Sequence, residues 1–235
     1  MACYDTTPPD NHRCGRRQGF KMIAKAIGLV DAGFLRQTIA TALQVEVGTY
    51  DVNALAVRAW MSSSAGRIDR DLLRAYWYDG AWPPDAPQAA TQRSEFEKID
   101  SLPGVRVRTG RLVKRPNKWQ SALKRALCEC KMDINELSRH FDFKDSVEQK
   151  GVDTLMVLDM TKMAQDRVYE SLILISGDSD LVEAVRVVQD MGREVIVAAP
   201  KGVGLSPELR RAADEVVSIE AVELKKFITP FDFDL

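Results

Sequence analysis

The stretch Ser171-Leu-Ile-Leu-Ile-Ser-Gly-Asp-Ser-Asp-Leu-Val-Glu183 constrains this chain more than any other. Leu172 to Ile175 form an apolar run without polar alternation, as expected of a central parallel strand buried on both faces. The run stops at Ser176-Gly177-Asp178-Ser179-Asp180, and Leu181, Val182, Ala184, Val185 and Val188 then recur at helical spacing. An acidic turn therefore joins the carboxyl end of a strand to the amino end of a helix, where open α/β sheets carry their ligand sites. Gly177 lets the backbone pass tightly, and Ser179 or Asp180 is a candidate cap for the first helical turn. One capping aspartate is ordinary. A second, two residues away, repels the first unless a cation or a donor stands between them.

The same geometry recurs upstream. Met22 to Val30 reads as a strand running into Asp31-Ala32-Gly33, and Leu72 to Tyr78 reads as another that ends on Asp79. The breaker-rich Gly80-Ala-Trp-Pro-Pro84 should then loop outside the sheet. Gly151 to Met163 reads as a helix with Asp153 in its first turn, where the helix dipole favours a carboxylate. Asp159, six positions on, points away from Asp153 and is not expected to share an ion with it. If the strands are neighbours, Asp31, Asp79, Asp153 and Asp178 gather at one edge of a parallel sheet. Such hard oxygen donors suit Mg2+ or Mn2+, which bind one or two carboxylates together with water and phosphate oxygens. An ion of that kind activates water for in-line displacement at a phosphodiester. The only histidines, His12 and His140, fall in a tail and a helix, so Ser/His and Cys/His schemes have no base at the acidic edge.

Elsewhere the pattern predicts a helix over Leu35 to Leu43. A second helix over Asp51 to Met61 would be capped by Asp51, with Leu55, Val57 and Trp60 inward. Ser94-x-x-Glu97 resembles a capping box opening a helix that ends near Gly104, and Val105 to Thr109 alternates as a half-exposed strand. Residues 117–149 read as two short helices. A strand over Glu194 to Ala199, a helix opened by Ser206, a strand over Val216 to Ile219 and a helix at 221–227 complete the order. No acidic residue occurs from Arg106 to Arg125. Arg106, Arg108, Arg111, Lys114 and Arg115 are candidate nucleic-acid contacts, set against a plainer role as the charges that keep an edge strand from aggregating.

With 235 residues, 45% of them hydrophobic, the chain can build one good-sized core. Lys plus Arg (33) nearly balance Asp plus Glu (34), which excludes a globally basic nucleic-acid binder but allows local patches. Cys3, Cys14, Cys128 and Cys130 are too few and too irregularly spaced for a disulfide framework or a zinc site, as expected of reduced thiols. There is no apolar run of about eighteen residues and no apolar signal core at the amino terminus, so a soluble, cytoplasmic protein is expected. The expected organisation is a disordered basic tail over 1–20, one domain over 21–228 with a basic, helical insertion near 106–149, and a short tail over 229–235.

Leu29-Val-Asp31-Ala-Gly-Phe34, Lys150-Gly-Val-Asp153, Ser176-Gly-Asp-Ser-Asp180, Gly192-x-x-Val195-x-Val197 and Ser206-x-x-Leu209-Arg-Arg-Ala-Ala-Asp214 occur in this order. Together they resemble the NYN family, which is similar to the LabA-like and PIN ribonuclease domains. The resemblance implies a PIN-like α/β three-layer sandwich with a mainly parallel central sheet, and a ribonuclease site using Mg2+ or Mn2+. By position it implies Asp31, Asp153 and Asp178 as metal ligands and Asp180 as a further catalytic acid. Ser176 would be a supporting hydroxyl, while Asp79 and Ser179 match less securely. RNA is the implied partner, and self-association is left open. One departure stands out: many members carry an asparagine shortly after the first aspartate, where this chain has Ala32-Gly33-Phe34. That departure supports an alternative, a non-catalytic RNA-binding regulator that keeps the acidic edge. Gly177 to Ala184 also resembles the late acidic motif of haloacid-dehalogenase-like phosphatases. That alternative fails at the first strand, where Gly33 occupies the position of a required second acid.

Overall fold

The computed structural model of the chain describes residues 24–115 and 146–230. In chain order its elements begin with β1 (Ala24–Asp31), α1 (Ala32–Leu43), β2 (Tyr50–Val52), α2 (Ala54–Arg67), β3 (Arg70–Ala81), α3 (Ala89–Asp100) and β4 (Val105–Arg115). They continue with β5 (Ser146–Lys150), α4 (Val152–Gln165), β6 (Ser171–Ile175), α5 (Val182–Asp190), β7 (Glu194–Pro200), α6 (Pro207–Ala212), β8 (Glu215–Ile219), α7 (Ala221–Leu224) and β9 (Ile228–Pro230). Seven strands form one sheet in the order β5-β4-β3-β1-β6-β7-β8, parallel except for β5, which runs antiparallel to β4. β2 and β9 pair separately.

The apolar strands have this composition because both of their faces are covered. Ala26 and Val30 of β1 and Ile173 and Ile175 of β6 face one core with Leu35, Ile39, Val57, Trp60 and Met61 of α1 and α2. Ile27, Leu29, Leu172 and Leu174 face a second core with Met156 and Met160 of α4, Val185 of α5 and Leu209 of α6. Every residue of β6 is buried. Each such aliphatic side chain contributes roughly 1.5–3 kcal/mol by leaving water, so the two helical layers hold the sheet from both sides. The expected three-layer α/β architecture with a mainly parallel sheet is the one observed.

From β1 the chain builds outward through β3 and β4, then returns to β6 on the other side of β1 and builds outward through β7 and β8. The order reverses between β1 and β6, and the crevice outside their carboxyl ends is where such sheets bind ligands. β5 ends at the same edge, because Lys150 pairs with Arg111 and Arg111 with Ala81. Gly151, at φ 79°, turns the chain from β5 straight into α4, so α4 begins beside the carboxyl ends of the parallel strands.

Several local expectations change for tertiary reasons. Asp51 lies in β2, paired to Thr229, and α2 starts later, capped by Asn53, which accepts the Ala56 N–H at 3.0 Å. Val57 and Trp60 face inward, but Leu55 is exposed. β3 does not stop at Tyr78, because Thr109, Gly110 and Arg111 of β4 pair with Asp79, Gly80 and Ala81 and carry the breaker residues into the sheet. α3 starts at Ala89, which leaves Ser94 inside a helix rather than at its cap. β4 is no edge strand, since β3 and β5 flank it, and residues 146–150 are a strand rather than part of a helix. The last helix covers only Ala221–Leu224. The remainder of the expected helical insertion, the amino-terminal tail, the four cysteines and both histidines lie outside the described residues. Among the described residues no helix is long and apolar enough to cross a membrane.

Candidate active site

Asp31 ends β1 and caps α1, its carboxylate accepting the Phe34 N–H at 2.9 Å. The residue is 9% exposed. Burial raises its pKa from 3.8 to about 6, helped by the charges of Asp153 and Asp79 and opposed by the Phe34 N–H and Arg36.

Val30 pairs with Ile175, so Ser176, one residue on, comes level with Asp31 across the β1/β6 crevice. Ser176 is fully buried, and its hydroxyl accepts the Asp178 N–H at 3.3 Å. Asp178 caps the single 3-10 turn Ser179–Leu181 by accepting the Asp180 N–H at 2.9 Å. The capping role expected of Ser179 or Asp180 therefore belongs to Asp178, while Ser179 and Asp180 are exposed. Gly177 is held by close approach: a Cβ there would strike the Gly204 carbonyl and the Phe34 ring. The Ser206 N–H also donates to the Gly177 carbonyl at 3.0 Å. The acidic turn is thus clamped between α1 and the loop that precedes α6.

Asp153 stands in the first turn of α4, partly buried, with its pKa raised by burial and then by Asp178 and Asp180. Asp31, Asp153, Asp178 and Asp180 come from three separate parts of the chain, and the charge of Asp153 reaches Asp31 while those of Asp178 and Asp180 reach Asp153. Among the described residues no three acidic, His or Cys side chains form a ready-made metal cage. The donors fit magnesium or manganese all the same. Those ions need only one or two protein carboxylates and take their remaining oxygens from water and substrate, whereas zinc sites are built mostly from Cys and His.

Two further carboxylates, Asp79 at this edge and Asp159 farther along α4, are occupied by protein donors. Asp79, 4% exposed, receives both guanidinium nitrogens of Arg36 at 2.6 and 2.8 Å and the Gly80 N–H at 2.8 Å. Arg36 was not marked by the sequence pattern, because its partner lies 43 residues away on another element. Asp159 accepts the Tyr78 hydroxyl at 2.9 Å and sits 3.2 Å from Arg108 Nε, turned away from Asp153 as its helical spacing predicts.

The basic candidates divide. Arg106 lies against Asp100, and Arg108 is paired with Asp159. Arg111 and Lys114 line a groove of about 750 Å³ with Trp82, Pro83 and Pro84, and Lys114 Nζ stands 5.8 Å from the centre of the Trp82 ring. Arg115 ends β4. Trp82 adds an aromatic platform that a search for charge alone passes over.

The chain matches the NYN domain over residues 42–220, a span that holds Asp79, Asp153, Ser176, Asp178 and Asp180 and begins after Asp31. It is 25% identical over 164 residues to the low amplitude and bright protein LabA of Synechococcus elongatus, covering 70% of each chain. It is 33% identical over 84 residues to the uncharacterized protein y4oD of Sinorhizobium fredii, covering 35% of this chain and 39% of that one. A crystal structure of a Vibrio parahaemolyticus protein of unknown function shares the fold, with a TM-score of 0.53 at 18% identity over 89% of this chain and 98% of that one. Because the matched span takes in β2 to β8 and so most of the chain, this protein belongs to the NYN domain family.

Proposed function

We propose that this protein is a divalent-metal-dependent ribonuclease that hydrolyses phosphodiester bonds at the carboxyl edge of its sheet. NYN domains are generally nucleases, and membership points to RNA-related chemistry. It also favours a phosphodiester over the monoester of the phosphatase alternative. The observation that carries the reading is the coupling of Asp31 and Asp153, with Asp178 and Asp180, across three elements. Burial and neighbouring negative charge, which raise the pKa of Asp31 and of Asp153, oppose folding of the ionised forms, so the convergence is best explained by a function that needs it.

Asp31, Asp153 and Asp178 would hold Mg2+ or Mn2+, which supplies Lewis acidity and a more acidic water. Asp31 would accept a proton from the attacking water through a carboxylate lone pair that the ion leaves free. The water oxygen bonds to phosphorus as the ester bond to the leaving ribose oxygen breaks, and that oxygen takes a proton from solvent. Asp178 is held in place by its cap to the Asp180 N–H, and buried Ser176 fixes the turn from below. Arg111 and Lys114 neutralise phosphates of the strand, with Trp82 available to stack a base.

The test is single-turnover cleavage of a labelled RNA with Mg2+ or Mn2+. Asp178→Asn should slow it by at least about a hundredfold with RNA affinity retained, as when an interaction made in the transition state is lost. Wild-type protein that binds RNA without cutting it would return the chain to the non-catalytic RNA-binding reading.

A further inference from the structure

Gln149 stands in β5, paired with Leu112 of β4. Its side chain crosses toward β1 through space that two glycines leave. A Cβ on Gly80 would meet Leu112 Cδ2 at 2.6 Å and Gln149 Cγ at 3.0 Å. A Cβ on Gly33 would lie 2.5 Å from Gln149 Oε1 and 3.4 Å from Asp31 Oδ1. Neither glycine has a positive φ, so neither backbone conformation demands one, and glycine weakens helix and strand alike. What the pair admits is the Gln149 amide. Its Nε2 is buried without a hydrogen-bond partner among the described residues, so that end of the amide does not tie the fold together. Its Oε1 and Asp31 Oδ1, which also accepts the Phe34 N–H, both face the open side of Gly33 in the first turn of α1 and are both acceptors. Such an arrangement attracts a molecule with two donors, and water is the simplest.

We propose that Gln149 is a catalytic residue of this site: its Oε1 and the Asp31 carboxylate each accept one hydrogen of the attacking water and aim its lone pair at phosphorus. The assignment rests on the ribonuclease reading. The water oxygen bonds to phosphorus as the bond to the leaving oxygen breaks. One water proton passes to Asp31, the proton held by Gln149 stays with the product phosphate, and solvent protonates the leaving oxygen.

Two variants test it from opposite sides. Gln149→Leu keeps the bulk and removes the acceptor, while Gly33→Ala places a methyl group against the end of the flexible Gln149 side chain and drives the amide out with residue 149 itself unchanged. Each should lower single-turnover cleavage of a labelled RNA by at least about tenfold, with RNA affinity and melting temperature held, as for a lost orienting contact. Each should also remove at least about half of the melting-temperature rise that Mg2+ gives the wild type, since the same oxygens hold water around a bound ion. A Gln149→Leu rate within about twofold of wild type, or a rate loss matched by lost affinity and stability, overturns the assignment. Wild type that cleaves no RNA defeats the ribonuclease reading and with it the catalytic role, leaving only the claim that Gln149 and Asp31 hold water together. The Mg2+ titration then decides on Gln149, and equal rises in wild type and Gln149→Leu, or none in the wild type, overturn it.

Discussion

Arg36 of α1 holds both carboxylate oxygens of Asp79 in β3, at 2.6 and 2.8 Å, and so gives the most buried acid at the sheet's carboxyl edge a partner within the protein. A pair of this kind binds α1 to β3 and also tempers Asp31, whose pKa Arg36 lowers. Breaking a fully buried pair from one side costs about 3–5 kcal/mol, and this one costs less because the Arg36 side chain is 36% exposed, whereas replacing both partners with apolar groups can be close to neutral. Arg36→Met should therefore destabilise the protein more than Arg36→Met combined with Asp79→Leu. Urea denaturation of both variants checks this. A double variant less stable than the single one would show that the pair contributes chiefly through its hydrogen bonds.

Asp31 makes stability depend on pH. Its folded pKa of about 6 lies above the ordinary 3.8, so between these values the folded state binds more protons than the unfolded one. Stability from this group is then highest in acid, falls as pH rises from about 4 to 6, and stays reduced above by roughly 3 kcal/mol. Asp31→Asn retains a good helix cap and deletes the charge. It should gain up to about 3 kcal/mol at pH 7.5 and almost nothing at pH 4, measured by denaturant unfolding at both values. Mg2+ should recover part of the same stability in the wild type but not in the variant, by binding the ionised cluster of the native state.

What the sequence made legible follows from how local each cause is. β6 could be read directly, because burial on both faces leaves an unbroken apolar run, and its acidic turn followed from Gly177 and the helical spacing after it. Asp31 and Asp153 were legible for the same reason: each sits at a strand end or helix start that its own neighbours define. β3 was cut short because Gly80 has the composition of a turn, and only pairing with Gly110 keeps it in the sheet. Local spacing predicts a cap at Asp51, because its strand partner, Thr229, is at the other end of the chain. Arg36 and Gln149 were invisible, since the partner of one and the open space around the other come from elements far apart in sequence.

Asp159 shares α4 with Asp153 but faces Tyr78 and Arg108. The Tyr78 hydroxyl is buried against it, and burial, with Asp159 alongside, holds that hydroxyl protonated far above the usual range. Asp159→Asn keeps an acceptor for Tyr78 and loses the ion pair to half-exposed Arg108, so RNA cleavage should stay within about twofold of wild type while stability falls by roughly 1 kcal/mol. Cleavage that drops as far as in Asp178→Asn would move Asp159 into the acidic site and overturn the separation of the two faces of α4.

The groove of Trp82, Arg111 and Lys114 should account for the salt dependence of RNA binding, because the neighbouring arginines have carboxylate partners. A cation with a carboxylate beside it releases less counterion from a phosphate than one without, even in half-exposed pairs such as those of Arg106 and Arg108. Arg111→Ala and Lys114→Ala should each lower the slope of log affinity against log salt by roughly one unit, and Arg106→Ala and Arg108→Ala by much less. Trp82→Ala tests a different force. Lys114 rests on the Trp82 ring, and a base that stacked there would displace it, so losing the ring should weaken single-stranded RNA by about 1–3 kcal/mol while leaving the slope unchanged. Fluorescence anisotropy of a labelled single strand across a salt series reads both quantities at once. Equal slope changes at all four basic positions would return β4 to a uniformly charged surface, and an unchanged affinity in Trp82→Ala would mean that bases pass the groove without stacking.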